Sequence, residues 1–160
     1  MGSSLCKGAP IALIVEDDPD LREIAAAVLQ QTDLRIVTCE DSEEAFATLC
    51  KHGNEVAFIF TDIHLPGILD GVDLVRRVGV LWPRVTVIVT SGDGGARRNS
   101  LPDDIVYMPK PWVAADVLMQ AWRATLRMQG SADPAWQPGR LIRPAAPVLC
   151  ANASGSRDRN

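Results

Sequence analysis

The chain has 160 residues, 47% hydrophobic and 22% charged, which is enough for one ordinary core and too few for two. Its formal net charge of -4 argues against a general nucleic-acid binder, because neutralising phosphates takes clustered Lys and Arg. The longest apolar runs, "VAFIF" and "VTVIV", fall far short of the roughly 18 residues that cross a bilayer, so no membrane partner is expected.

The opening "MGSSLCKGAPIALIVEDD" lacks a basic segment, a long apolar stretch and a cleavage site. No secretory signal is expected, and a cytoplasmic location follows. Residues 1–9 are expected to be a flexible N-terminus. "IALIVEDD" then reads as a buried strand ending in carboxylates. "DPDLREIAAAVLQQT" places Leu21, Ile24, Ala25, Val28 and Leu29 on one helical stripe, with Asp18 able to cap and Pro19 suited to the first turn. "LRIVTC" is a second strand. "DSEEAFATLCKHG" opens with Asp41 three residues before Glu44, like a capping box, and closes on Gly53. "EVAFIFTD" is a third strand, "GVDLVRRVGVLWP" a helix stopped near Pro83, and "VTVIVTSG" a fourth strand. "DIVYMPKP" is the fifth, and "AADVLMQAWRATLRM" a last helix with Val117, Leu118, Ala121 and Trp122 on its apolar face. Apolar strands separated by helices predict a doubly wound α/β domain with a five-stranded parallel sheet over residues 10–128.

From residue 129 the pattern stops. "GSADPAWQPGRLIRPAAPVLCANASGSRDRN" has no sustained period, and a disordered tail over 129–160 is expected. The tail's four Arg and two Asp make it +2, so the remainder carries -6 of the total -4. Cys6, Cys39, Cys50 and Cys150 have neither C-x-x-C nor zinc spacing and read as packing or tail residues. His52 reads as a solvated helix terminus.

Ligands of an open α/β sheet bind beyond the carboxyl ends of its strands, where strand order reverses. Glu16 and Asp17 follow the first strand, Asp62 ends the third, Thr90 and Ser91 end the fourth, and Lys110 ends the fifth. Converging carboxylates repel, so they must be protonated, paired with Lys110 or neutralised by a cation. A hard, oxygen-seeking ion, Mg2+ or alternatively Mn2+, suits three carboxylates.

Four pieces in order, "VEDD", "FTDIHLPG", "VTSG" and "YMPKP", make the chain resemble the receiver domain of bacterial two-component response regulators. The resemblance covers roughly residues 10–128 and implies a flavodoxin-like sheet of order 2-1-3-4-5 with helices on both faces. It implies Asp62 as phosphoacceptor, Asp17 as a direct Mg2+ ligand, Glu16 as a ligand through water and the backbone carbonyl of His64 as another. Lys110 and Ser91 would stabilise the phosphoryl group, with Gly92 as the small residue beside it. Ser91 and Tyr107 would form the switch, and a cis Lys110–Pro111 bond would aim the lysine inward. The implied partners are a sensor histidine kinase or histidine phosphotransfer protein and a separate downstream protein, with no direct nucleic-acid contact.

The chemistry fits these residue types. A carboxylate that attacks phosphorus forms an acyl phosphate, and phosphoryl transfer needs positioning and charge stabilisation more than a base. "LPG" turns the chain away from Asp62 and clears the approach of a donor. Asp93 and His64, each two residues beyond a site residue, are placed to tune water access. One departure is large: "SGDGGARRNSLPDDIVYMPK" holds three glycines and Pro102 where a helix should join the fourth and fifth strands, so that helix is expected to be short or absent. Competing readings are a pseudo-receiver binding scaffold and a Mg2+-dependent phosphohydrolase. The joint presence of Asp17, Asp62, Ser91 and Lys110 weighs against the first, and the lack of a D-x-D-x-[TV] nucleophile motif against the second.

Overall fold

The computed structural model describes residues 8–103 and 105–130; residues 1–7 of the expected flexible N-terminus and all but the first two residues of the expected tail lie outside them. Five parallel strands, β1 (Ile11–Val15), β2 (Arg35–Cys39), β3 (Val56–Asp62), β4 (Thr86–Ser91) and β5 (Val106–Pro109), form one sheet in the order β2-β1-β3-β4-β5. The helices are α1 (Pro19–Leu29), α2 (Ser42–His52), α3 (Gly71–Leu81) and α4 (Ala114–Met128). This is the flavodoxin-like arrangement expected from the sequence.

Strand alternation divides the core in two. Leu13, Val15 and Ile59 face one way and pack with Ala45 and Leu49 of α2 and with Leu74 and Val78 of α3. Their neighbours Ile14, Phe58 and Phe60 face the other way, against Ala25 and Leu29 of α1 and Val117 and Ala121 of α4. Both faces are therefore covered, which explains why the central strands read as unbroken apolar runs. Trp82 meets Phe46 edge-on at 6.0 Å on the first side, and Trp112 meets Phe60 at 5.2 Å on the second.

Several local expectations shift in detail. Asp18 caps α1 by accepting from the amides of Asp20 and Leu21. Ile24 is not on the buried stripe: it is 51% exposed, because it precedes buried Ala25 by one residue and so points about 100° away. The Asp41 carboxylate accepts from the Glu44 amide at 2.8 Å, but Glu44 reaches back one residue further than a capping box requires, to the Glu40 amide at 2.9 Å. Gly53 ends α2 with φ of -55°, so no left-handed turn explains it. A Cβ there would collide with the Trp82 indole and sit 2.6 Å from the Leu49 carbonyl oxygen; the glycine makes room for the tryptophan. Cys39 is buried, while Cys50 is exposed rather than a core residue.

Among the described residues between β4 and β5 there is a single 3-10 turn, Arg98–Ser100, and no α-helix. Gly94 and Gly95 lie at φ of +70° and +87°, which breaks any helix before it starts. The segment is fixed by side chains instead. Arg97 pairs with Asp70, the N-cap of α3, at 2.5 Å, and Arg76 of α3 donates to the Ser100 carbonyl at 2.9 Å. Leu101 and Ile105 pack against the core on the α2 and α3 side. No helix among the described residues is long and apolar enough to cross a membrane.

Candidate functional site

Order reverses between β1 and β3, since β1 pairs with β2 on one side and β3 on the other. The register sets Val15 beside Thr61 and Asp62 beside Thr90, so Glu16, Asp17 and Asp62 emerge at one level of the sheet. Their ligand oxygens all lie within 4.8 Å of one another. Backbone bonds past the strand ends hold this level: Glu16 N donates to Cys39 O, Ile63 N to Thr90 O and Lys110 N to Ser91 O. Arg22 clamps the turn after β1 by donating to the Glu16 carbonyl at 2.8 Å.

Lys110 directly follows the end of β5 and is joined to Pro111 by a cis bond. Its ammonium bridges two carboxylates, donating to Oε2 of Glu16 at 3.0 Å and to Oδ2 of Asp62. The other Asp62 oxygen, Oδ1, accepts from the His64 amide at 2.8 Å. Glu16 is 2% exposed and Asp62 7%. Burial pushes the Glu16 carboxyl above its usual range, more than the Lys110 contact can offset, and the Asp62 charge raises it further. Burial also opposes the charge on Lys110, yet its two carboxylate partners outweigh that and hold the ammonium above its ordinary value. The two directions agree physically: the lysine gains from both acids, whereas each acid receives only a share of one ammonium. With Asp17 exposed beside them, three carboxylates face one cation, and the residual negative charge with oxygen-only donors fits a hard divalent ion.

The remaining predicted residues sit around this centre. Ser91 is fully buried, and its hydroxyl donates to Asp93 Oδ1 at 2.5 Å, while the Asp93 amide donates back to Ser91 Oγ at 3.2 Å. Asp93 Oδ1 also accepts from the Gly95 amide at 3.0 Å, and Oδ2 meets His64 Nε2 at 2.8 Å. The Ser91 and His64 contacts lower the Asp93 carboxyl to about 2. A Cβ on Gly92 would meet open space. Tyr107 has a buried hydroxyl with no partner among the described residues, and its ring lies under the Arg98 guanidinium at 5.6 Å. A Cβ on Gly95 would lie 3.3 Å from that hydroxyl. Asp17 marks the solvent-facing rim of the cluster, beside buried Glu16 and Asp62.

Two supports were missed in the sequence. Glu43, beside the capping residue Glu44, accepts from the amides of Ile68 and Leu69 at 2.6 and 3.2 Å and so pins the loop after Asp62 to α2. Its carboxyl is lowered by these backbone bonds. Gly71 begins α3 directly against the end of β3: a Cβ there would collide with the Asp62 carbonyl oxygen and lie 2.7 Å from Ile63 Cα. The "DG" at 70–71 was a signal for a turn, but not for this contact.

A five-stranded α/β sheet with an acidic cluster and a lysine at its switch point defines a class. The model of the response regulator receiver domain family matches residues 12–121, and the chain belongs to that family. Transcriptional regulatory protein AruR of Pseudomonas aeruginosa is 33% identical over 142 residues, spanning 80% of this chain and 55% of AruR. Transcriptional regulatory protein TrcR of Mycobacterium tuberculosis is 32% identical, spanning 84% of this chain and 54% of TrcR. The chain thus covers little more than half of these relatives, and only 16% of a response regulator from Arabidopsis thaliana. The receiver domain of NtrX from Brucella abortus superposes with a TM-score of 0.61 at 26% identity, covering 71% of this chain and 97% of that one. The signal receiver domain of an HD domain-containing protein from Pseudomonas fluorescens Pf-5 gives 0.68 at 22% identity, covering 77% and 99%.

Proposed function

We propose that the chain is a phosphoacceptor receiver in which Asp62 takes a phosphoryl group. The observation that carries this reading is the Lys110 ammonium shared by Asp62 and Glu16, with Asp17 against them at the switch point. Asp17 and Asp62 would hold Mg2+ or Mn2+ directly, Glu16 through water and His64 through its carbonyl. When bound, the ion would supply positive charge to the phosphoryl oxygens and offset the mutual repulsion of the acids.

An Asp62 carboxylate oxygen attacks phosphorus, forming a P–O bond as the P–N bond of a donor phosphohistidine breaks and the imidazole leaves with the electron pair. Lys110 stays beside the phosphoryl oxygens and balances the charge that gathers there. The Glu43 clamp keeps the loop after Asp62 in one place, and the open rim admits a protein donor. A sensor histidine kinase or a histidine phosphotransfer protein fits that access. The altered surface is then read by a separate protein. No external substrate is turned over in this reading.

Mass spectrometry of the chain after exposure to acetyl phosphate tests it. One added phosphoryl group is expected, dependent on Mg2+ and lost in Asp62→Asn. Modification that survives this substitution would place the acceptor elsewhere, and none at all in the wild type would favour a pseudo-receiver scaffold.

A further inference from the structure

Ser91 has one hydroxyl proton to give, and the structure commits it to Asp93. The O···O distance of 2.5 Å belongs to a charge-assisted bond. The return bond from the Asp93 amide occupies a lone pair of the same oxygen, and Ser91 is fully buried, so no water competes for it. Asp93 is itself held from two sides, by the Gly95 amide and by the His64 ring. A phosphoryl group on Asp62 brings new acceptor oxygens to the same rim.

We propose that Asp93 is a positioning residue that holds the Ser91 hydroxyl in the resting protein and competes with the phosphoryl group for it. Occupation of Asp62 then requires a hand-over: Ser91 turns from Asp93 to a phosphoryl oxygen, and Asp93 Oδ1 keeps only the Gly95 amide. The bonds from Asp93 to Gly95 and His64 stay in place, so the hand-over changes the partner of Ser91 without releasing the glycine turn. The competition sets how tightly a phosphoryl group is retained. It rests on the phosphoacceptor reading of Asp62.

The test is the affinity of the full chain for beryllium fluoride, a phosphoryl mimic, with Mg2+ present, read by the fluorine NMR signal of the bound species. Asp93→Ala should bind roughly ten- to a hundredfold more tightly than wild type, the scale of one hydrogen bond to a charged group. Asp93→Asn removes the charge equally but keeps a side-chain oxygen that accepts from Ser91, and should fall between the two. An Asp93→Ala affinity no greater than wild type overturns the proposal. Equal affinities in the Ala and Asn variants also overturn it, because charge removal alone would then account for the gain. A wild type that fails to bind the mimic, or binding that persists in Asp62→Asn, overturns the phosphoacceptor reading and this proposal with it.

Discussion

Asp17 and Glu16 are adjacent carboxylates with opposite situations: Asp17 is exposed, and Glu16 is enclosed beside Lys110. Their substitutions should separate accordingly. Asp17→Asn removes the anionic ligand proposed for Mg2+ and is expected to weaken Mg2+ binding roughly tenfold or more, with no loss of melting temperature, since it also relieves repulsion. Calorimetric titration with Mg2+ checks it. Glu16 bears on stability through pH. Its folded carboxyl is raised above the ordinary 4.5, so the folded chain holds this proton more tightly than the unfolded one. The contribution to stability is complete below that ordinary value and is lost as pH rises through the raised one. Glu16→Gln has no such loss. Its stability relative to wild type, measured by urea denaturation without Mg2+, should therefore be near parity in acid and increase towards neutral pH. A difference that is constant across the range would mean that burial of the Glu16 charge is not what separates the two proteins.

At the scale of elements, the close approach of α3 to β3 should be the least tolerant feature. Gly71→Ala places a methyl group against the Asp62 carbonyl, and overpacking of this kind costs about 1–3 kcal/mol. Because the backbone it strains is that of the proposed acceptor, Asp62, phosphorylation by acetyl phosphate should slow as well, whereas Gly53→Ala, crowded against Trp82 at the far end of α2, should lower stability and leave that rate intact. Rates and denaturation curves of the two variants decide it. The strands were legible in the sequence because periodicity and burial act locally along each run, whereas their order came from the resemblance to receiver domains. The missing helix was legible for a related reason: Gly94, Gly95 and Pro102 forbid a helix whatever surrounds them. What replaced it was not legible. The Arg97 pair with Asp70 and the Arg76 bond to Ser100 join residues more than twenty positions apart, and nothing in local pattern selects one arginine over its neighbour. Glu43 escaped notice likewise, since its partners are backbone amides that any residue carries.

At the scale of the whole molecule, the core residues among the described ones lie between Ile11 and Met128, and the tail has too few contiguous apolar residues for a core of its own. Removing everything after Gly130 is therefore expected to leave phosphorylation at Asp62 and the melting temperature nearly unchanged. A fall of more than about 4 °C, on the order of 1 kcal/mol for a domain of this size, would show that the tail packs on the domain and would end the disordered expectation for 129–160. The segment that stands where a helix was missing sets a mechanical limit on the rest. A helix is a strut, which carries a push along its length because its own ladder of bonds resists compression. The chain from Gly94 to Leu101 has one 3-10 turn and two fixings on α3, at Asp70 and Arg76; it behaves as a cord, which transmits a pull and goes slack under a push. A pull on Asp93 passes to Gly95 through the bond between them and is expected to stop at the fixing of Arg97 on Asp70.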